Sequence, residues 1–452
     1  MTTFSTRPWF YRSLALLVFL IAQFLVLVLP QKMQEPGDWG FQYAARNFAQ
    51  GYVVLTDEQY IEQSWGAWDE GGLLLGYAGV KEHSWAFTGA PGYAFYLAPF
   101  ERIGAPWLGA SLLSLGLIAI LYLLLTRIKD EKTALLGVML LAFSPLYLAM
   151  WQRVYMDALA ALAFSGVGGG LYLYYWLSRD RLGARMSMVI LLTAGFMIMA
   201  SVGVRYTNIA VAAVFGIHFL VMAVRSHLCR EHFLPAGLFF GLGMALSGLG
   251  IFIYRGVAFG TPFNSGGEFA QLPIRFAWNY TFGTGYNIVR NNVIQLWAPL
   301  LVALPIMLAA IPAFVAVAYD KGFIPRRPDK WPELPAHIYH VLWWWVVAVF
   351  GVYLMYEWTA YQAGGQLPFP LLTRFYLPAL LPLVFIAALM LRRLSVKHWG
   401  SVLAVLTVLG VFFYFQVARL QIQFADGATP PSLRAPVTSD SPQVMFSEEF
   451  IS

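Results

Sequence analysis

Long apolar runs, most of them close to the length a bilayer crossing requires, recur along the chain between short polar connections. They predict spans at 13–29, 106–126, 133–150, 158–177, 186–204, 208–224, 233–253, 299–318, 338–356, 375–391 and 401–417. The pattern is that of an all-α polytopic membrane protein with about eleven transmembrane helices. Two intervening segments, roughly 30–105 and 254–298, are far longer than connectors need to be. In the first, Phe41, Ala44, Ala45 and Phe48 fall at helical spacing, with Gln42, Arg46 and Gln50 largely on the other side. This predicts a short helix lying flat at the membrane surface. Tyr93, Tyr96, Leu97 and Phe100 mark a second such stripe where the loop closes. The long first outer loop therefore reads as a platform of two interfacial helices flanking an acidic and aromatic middle. Spans and platform form one unit over 1–423, followed by a Pro-, Ser- and Ala-rich outer tail over 424–452.

Composition agrees. Hydrophobic residues make up 59% of the chain, charged residues only 12%, and mean hydropathy is +0.63, whereas soluble domains carry about 25% charged residues. Arg7 and Arg12 precede the first span and no small-residue cleavage site follows it, which predicts an uncleaved signal anchor with a cytoplasmic N-terminus. Alternate short loops then carry most of the 29 Lys and Arg, and the opposite side carries most of the 23 Asp and Glu. The expected location is the plasma (inner) membrane, multi-pass, with the functional face outside. The net charge of +6 follows from this topology and implies no nucleic-acid partner. The lone Cys229 excludes an intrachain disulfide. Glycines at 166–170 and at 237 and 241 suit close helix packing.

The ionisable residues within or beside spans are Asp38, Asp157, Arg153, Arg205, Arg255 and Arg374, all at the predicted outer boundary. A solute pathway would place charges near the midplane. Carboxylates and guanidiniums at one interface suit a hydroxyl nucleophile, whose proton a carboxylate takes, and an anionic leaving group, which arginine forks hold. Asp38 and Asp157 each also read as plain helix N-caps. Turn residues and aromatics over 259–286, Glu268 among them, suggest an ordered loop lining a groove with Tyr43, Tyr93 and Tyr96.

Five features together resemble the GT-C superfamily of membrane glycosyltransferases, in particular the protein O-mannosyltransferase and lipid A aminoarabinose transferase type. They are Asp38 opening an aromatic and Ala-rich helix that ends at Gly51, and a Pro-Gly-Tyr helix over Pro91–Phe100. Asp157 at the start of a span, Phe259-Gly260-Thr261-Pro262-Phe263, and Arg374-Phe375-Tyr376-Leu377-Pro378 complete the set. The resemblance implies an inverting transfer of a sugar from a polyprenyl-phosphate donor to a hydroxyl acceptor on protein, lipid or glycan. It implies Asp38 as catalytic carboxylate and Asp157 as the second acidic position, the two together holding a divalent cation, magnesium or manganese, if one takes part. Arg374, Arg205 and Arg153 are the candidates for the donor phosphate. Two departures stand out: Trp39, not Glu, follows Asp38, and Thr88-Gly89-Ala90 precedes Pro91 where relatives carry Lys or His. A flippase for a lipid-linked glycan and an O-antigen-type polymerase or ligase remain open as alternatives.

Overall fold

The computed structural model describes residues 8–28, 36–68, 77–81, 83–225, 230–264, 298–320, 334–355 and 373–392, together with 405, 408 and 410. The first span is α1 (Pro8–Val28), whose Leu16, Leu20, Phe24 and Val28 face outward as lipid-facing residues do. The platform follows. Helix α2 (Pro36–Gln50) opens on a proline, whose missing N–H is harmless at a helix start. Asp38 therefore sits inside the first turn of α2 and is not its cap. A second helix that the apolar pattern does not reveal, α3 (Asp57–Trp68), starts from a capping box. Thr56 and Gln59 exchange backbone N–H to side-chain hydrogen bonds at 3.0 and 3.3 Å, and Asp57 and Glu58 favour the positive end of the helix.

The same loop holds strands, a departure from the all-helical expectation for this segment. β1 (Val54–Thr56), β2 (Tyr77–Lys81) and β3 (Ser84–Phe87) form an antiparallel sheet in the order β1-β3-β2, with Val54 opposite Ala86 and Tyr77 opposite Phe87. Helix α4 (Gly92–Arg102) closes the platform. One core joins these elements to the bundle: Ala45, Leu55, Phe87, Tyr93 and Leu97 pack with Ala160, Ala161 and Phe164 and with Tyr254 and Phe259. Asp57 clasps the sheet to α3, accepting from the Trp85 indole at 2.8 Å and meeting His83 Nδ1 at 2.5 Å.

The bundle continues with α5 (Pro106–Ile128), α6 (Glu131–Ala142), α7 (Pro145–Gln152), α8 (Asp157–Ser178), α9 (Ala184–Val204), α10 (Ile209–Arg225) and α11 (Arg230–Phe259). After these come α12 (Ala298–Ala303), α13 (Met307–Asp320), α14 (Ala336–Met355) and α15 (Leu380–Leu391), the last preceded by a 3-10 turn over Arg374–Ala379. Among the described residues eight helices are long and apolar enough to span, or nine if α6 and α7 count as one. The protein is a multi-pass membrane protein, but the expected eleven spans are not all found as single helices. The run 133–150 breaks at Ser144-Pro145 into a pair bent by 58°, because a residue before proline is driven out of the helical region; Ser144 has φ −65° and ψ 125°. The run 299–318 divides at Leu304-Pro305 for the same chemical reason. All but three residues of 401–417 lie outside the described residues.

Close helix contacts rest on glycine, as expected, though not always on the expected glycine. A Cβ at Gly168 would lie 2.7 Å from the backbone N of Ile198, whereas none of the described atoms lies within 4 Å of one at Gly241. The close approach of α9 and α11 occurs at Gly195 and Gly243, where a Cβ would meet the Phe240 and Leu192 carbonyl oxygens at 2.2 and 2.1 Å. Backbone cannot yield as a side chain tip can. Gly243→Ala and Gly195→Ala should each destabilise the bundle by about 1–3 kcal/mol, while Gly241→Ala should be neutral or slightly stabilising in thermal unfolding in detergent.

A second prediction concerns the platform. The hydrogen bond from His83, then that from Trp85, holds the Asp57 carboxyl below its usual range. A depressed folded value means stabilisation that is present above the unfolded carboxylate range, about pH 3.9, and lost as pH falls through the folded value. Hydrogen exchange of β3 amides should rise on acidification through this range in the wild type, and Asp57→Asn should abolish the transition.

Candidate active site

Asp157 is the first residue of α8, so its carboxylate stands at the positive end of a helix dipole. The cap position itself is Met156, which makes no side-chain capping bond. The Asp157 carboxylate turns to Arg205, where the backbone leaves α9 in extended conformation with φ −145° and ψ 116°. The guanidinium forks onto it: Nε donates to Oδ2 at 2.6 Å and Nη2 to Oδ1 at 2.5 Å. Both side chains are withdrawn from water, at 7% and 15% exposure for Arg205 and Asp157. In such surroundings a bidentate pair is needed to offset desolvation.

The remaining edge of Arg205 faces other chemistry. Its Nη1 is buried and has no acceptor at hydrogen-bond distance among the described residues, although the Tyr353 hydroxyl faces the same guanidinium. Its guanidinium carbon lies 4.9 Å from the centroid of Phe375, and that of Arg374 lies 5.0 Å from the same ring. One aromatic side chain thus gathers two arginines from separate elements. Tyr353, near the end of α14, packs on Phe375 with ring centroids 5.3 Å apart and shares a 2.5 Å hydrogen bond with Thr207. Beside them the Arg255 guanidinium lies over the Tyr206 ring at 4.3 Å. Arg153 ends α7, four residues before Asp157.

The platform is anchored to the same end of the bundle. The start of α4 rests on the end of α9 through backbone, since a Cβ at Gly92 would lie 2.6 Å from the Gly203 carbonyl carbon. Tyr93 is fully buried and donates to the Val154 carbonyl oxygen. Tyr96 donates to the Gly109 carbonyl oxygen at 2.9 Å, and burial pushes its hydroxyl up to about 12. These tyrosines brace α4, while Tyr43 packs partly buried against the platform core. Glu101, which the sequence pattern does not single out, accepts from Tyr155 and lies 3.8 Å from Arg46 of α2. Burial, and next the bond to Glu101, raises the Tyr155 hydroxyl above its ordinary value. Helix α2, which carries Asp38, is thereby tied to the turn that carries Asp157. The side chain of Asp38 and the whole of Glu268 lie outside the described residues.

Of the two carboxylates expected to hold a divalent cation, only that of Asp157 lies among the described residues. Both Asp157 oxygens are taken by Arg205, and among the described residues no three His, Cys, Asp or Glu side chains come together.

A membrane bundle with an ion-paired site at one end, roofed by a helix-and-sheet platform, defines a fold class. The chain shares its overall fold with solved membrane oligosaccharyltransferases. It is similar to the oligosaccharyltransferase of Archaeoglobus fulgidus in its apo form, with a TM-score of 0.58 and 12% identity over 93% of this chain and 57% of that one. It is similar also to AglB from Archaeoglobus fulgidus in complex with an inhibitory peptide and a dolichol-phosphate, at 0.53 and 12% over 96% and 61%. For ArnT from Cupriavidus metallidurans bound to undecaprenyl phosphate the values are 0.49 and 14% over 87% and 62%. The chain spans less than two thirds of each of these proteins. No family model matches the sequence, and no curated protein matches it by sequence.

The ion pair makes a sharp prediction. Asp157→Ala or Arg205→Ala leaves an uncompensated buried charge and should cost about 3–5 kcal/mol of stability. The double change Asp157→Leu with Arg205→Met should recover most of it, read as the melting temperature in detergent.

Proposed function

We propose that the chain is an integral-membrane inverting glycosyltransferase that moves a sugar from a polyprenyl-phosphate donor to a hydroxyl acceptor. The observation that carries this reading is the geometry of Arg205. Asp157 fixes it by Nε and Nη2, while buried Nη1 has no acceptor at hydrogen-bond distance among the described residues, and the Tyr353 hydroxyl faces the guanidinium besides. A buried donor without an acceptor is uncommon, and a phosphate oxygen would satisfy it. Arg374, sharing the Phe375 ring with Arg205, supplies a second guanidinium for the same group. The fold supports the class, and AglB, similar in fold, was solved with a dolichol-phosphate.

In this reaction Asp38 takes the proton of the acceptor hydroxyl. The hydroxyl oxygen attacks the anomeric carbon from the face opposite the phosphate, the sugar–phosphate C–O bond breaks, and the lipid phosphate leaves with the electron pair toward Arg205 and Arg374. Asp157 acts through Arg205, holding the fork in place. The excess of basic residues in the alternate loops supports a reaction at the outer face and an N-terminus in the cytoplasm.

The test is transfer from a polyprenyl-phosphate sugar by the purified protein in liposomes. Asp38→Asn should lower the rate by about 10²–10⁴ without changing insertion or melting temperature. Near-normal turnover would remove Asp38 from the mechanism. Mass analysis of products separates the alternatives: a flippase leaves the donor intact, and a ligase or polymerase moves a whole oligosaccharide.

A further inference from the structure

The end of the bundle opposite Asp157 and Arg205 holds a second polar cluster. Trp176 near the end of α8, His218 on α10 and His337 at the start of α14 form a triangle of rings. Their centroids lie 5.8, 5.8 and 5.9 Å apart. Tyr172 hydroxyl lies 2.7 Å from His218 Nδ1, which occupies that nitrogen. The Nε2 atoms of His218 and His337 are buried and have no hydrogen-bond partner among the described residues. The Arg179 guanidinium lies over Trp176 at 5.5 Å. Asp180, 92% exposed, approaches Arg179 only to 3.6 Å, a surface pair that a stronger acceptor displaces readily.

Buried ring nitrogens are normally matched, so two unmatched ones in a single cluster point to an absent partner. Its charge follows from the surroundings. Arg179, whose guanidinium lies over the Trp176 ring of the same cluster, disfavours a cation there. No cluster of three His, Cys, Asp or Glu is present among the described residues to hold a metal. An anion with several acceptor oxygens suits imidazole and guanidinium donors together. Trp176 and His337 stand within one helical turn of the ends of their spans, the depth at which lipid phosphates lie.

We propose that Trp176, Arg179, His218 and His337 form a phosphate-binding site at the membrane surface opposite the sugar-transfer site. Arg179 supplies charge, the two imidazoles supply directed N–H donors, and Trp176 forms the wall on which Arg179 rests. The phosphate is that of an anionic lipid headgroup or a free phosphate, and the two are separable by experiment.

The full chain, delipidated in neutral detergent, is titrated with dioleoylphosphatidylglycerol, with dioleoylphosphatidylcholine as control and inorganic phosphate in a separate arm. Bound lipid is read by native mass spectrometry and phosphate by the shift in melting temperature. A lipid headgroup site predicts retention of phosphatidylglycerol over phosphatidylcholine and no response to inorganic phosphate; a free-anion site predicts a response to both. In either case Arg179→Gln, at a half-exposed position that leaves the packing intact, and the ring-preserving pair His218→Phe with His337→Phe should each weaken binding about tenfold or more. If the histidine pair fails to fold, Arg179→Gln decides alone. Equal binding by wild type and Arg179→Gln, or no binding of either probe by the wild type, overturns the proposal.

Discussion

The fork between Asp157 and Arg205 is the constraint on which the platform end of this protein depends. Each charge alone would be intolerable at the apolar edge of the bundle, so neither α8 nor α9 can shift without the other. Two of the guanidinium's donor positions are spent on that lock. The third is thereby aimed, and Phe375 and Tyr353 from the last two described spans close around it. A flexible lysine could supply the charge but not the direction.

The platform is held to the same place by contacts of a different kind. Backbone touches backbone at Gly92 and Gly203, and buried tyrosine hydroxyls reach carbonyls and a carboxylate across elements. Rigidity at this end is thus built from short polar bonds over small residues. The bundle interior relies instead on packed apolar side chains around Leu117, Leu162, Phe215 and Trp345. At the far end, Asp130 meets Arg392 at 3.5 Å in a half-exposed pair of modest strength, and Arg127 donates to the buried Ser178 hydroxyl at 2.9 Å.

Much of this was legible in the sequence. Apolar runs of bilayer length announce the spans because nothing else satisfies a backbone in lipid, and the stripes at Phe41–Phe48 and Tyr93–Phe100 announce the interfacial helices. The gathering of Arg205, Arg374 and Asp157 at one end follows from their places at span boundaries. Their pairing does not, because which side chains meet is settled by how helices rotate against one another. The bridging role of Phe375 and the presence of Tyr353 went unseen for that reason, although Arg-Tyr at 205–206 and Arg-Phe at 374–375 hinted at aromatic company for each arginine. Glu101 carried no signal, lying among ordinary charges at a helix end. The sheet was missed because strands of three to five residues give too few alternations to count. The capping box at Thr56 and Gln59, by contrast, was there to be read.

The bend at Ser144-Pro145 has a consequence for depth. The 12 residues of α6 rise about 18 Å, and the 8 of α7, tilted 58° away, add about 6 Å along the same axis. With α6 along the bilayer normal, the pair reaches about 24 Å through a hydrocarbon layer of about 30 Å. The bent pair thus falls about 6 Å short of that layer, whereas the 22 residues of α8, which begins at Asp157, rise about 33 Å and cross it in full. The kinked pair is therefore shorter than the straight helix that follows it, a direct result of the proline at position 145.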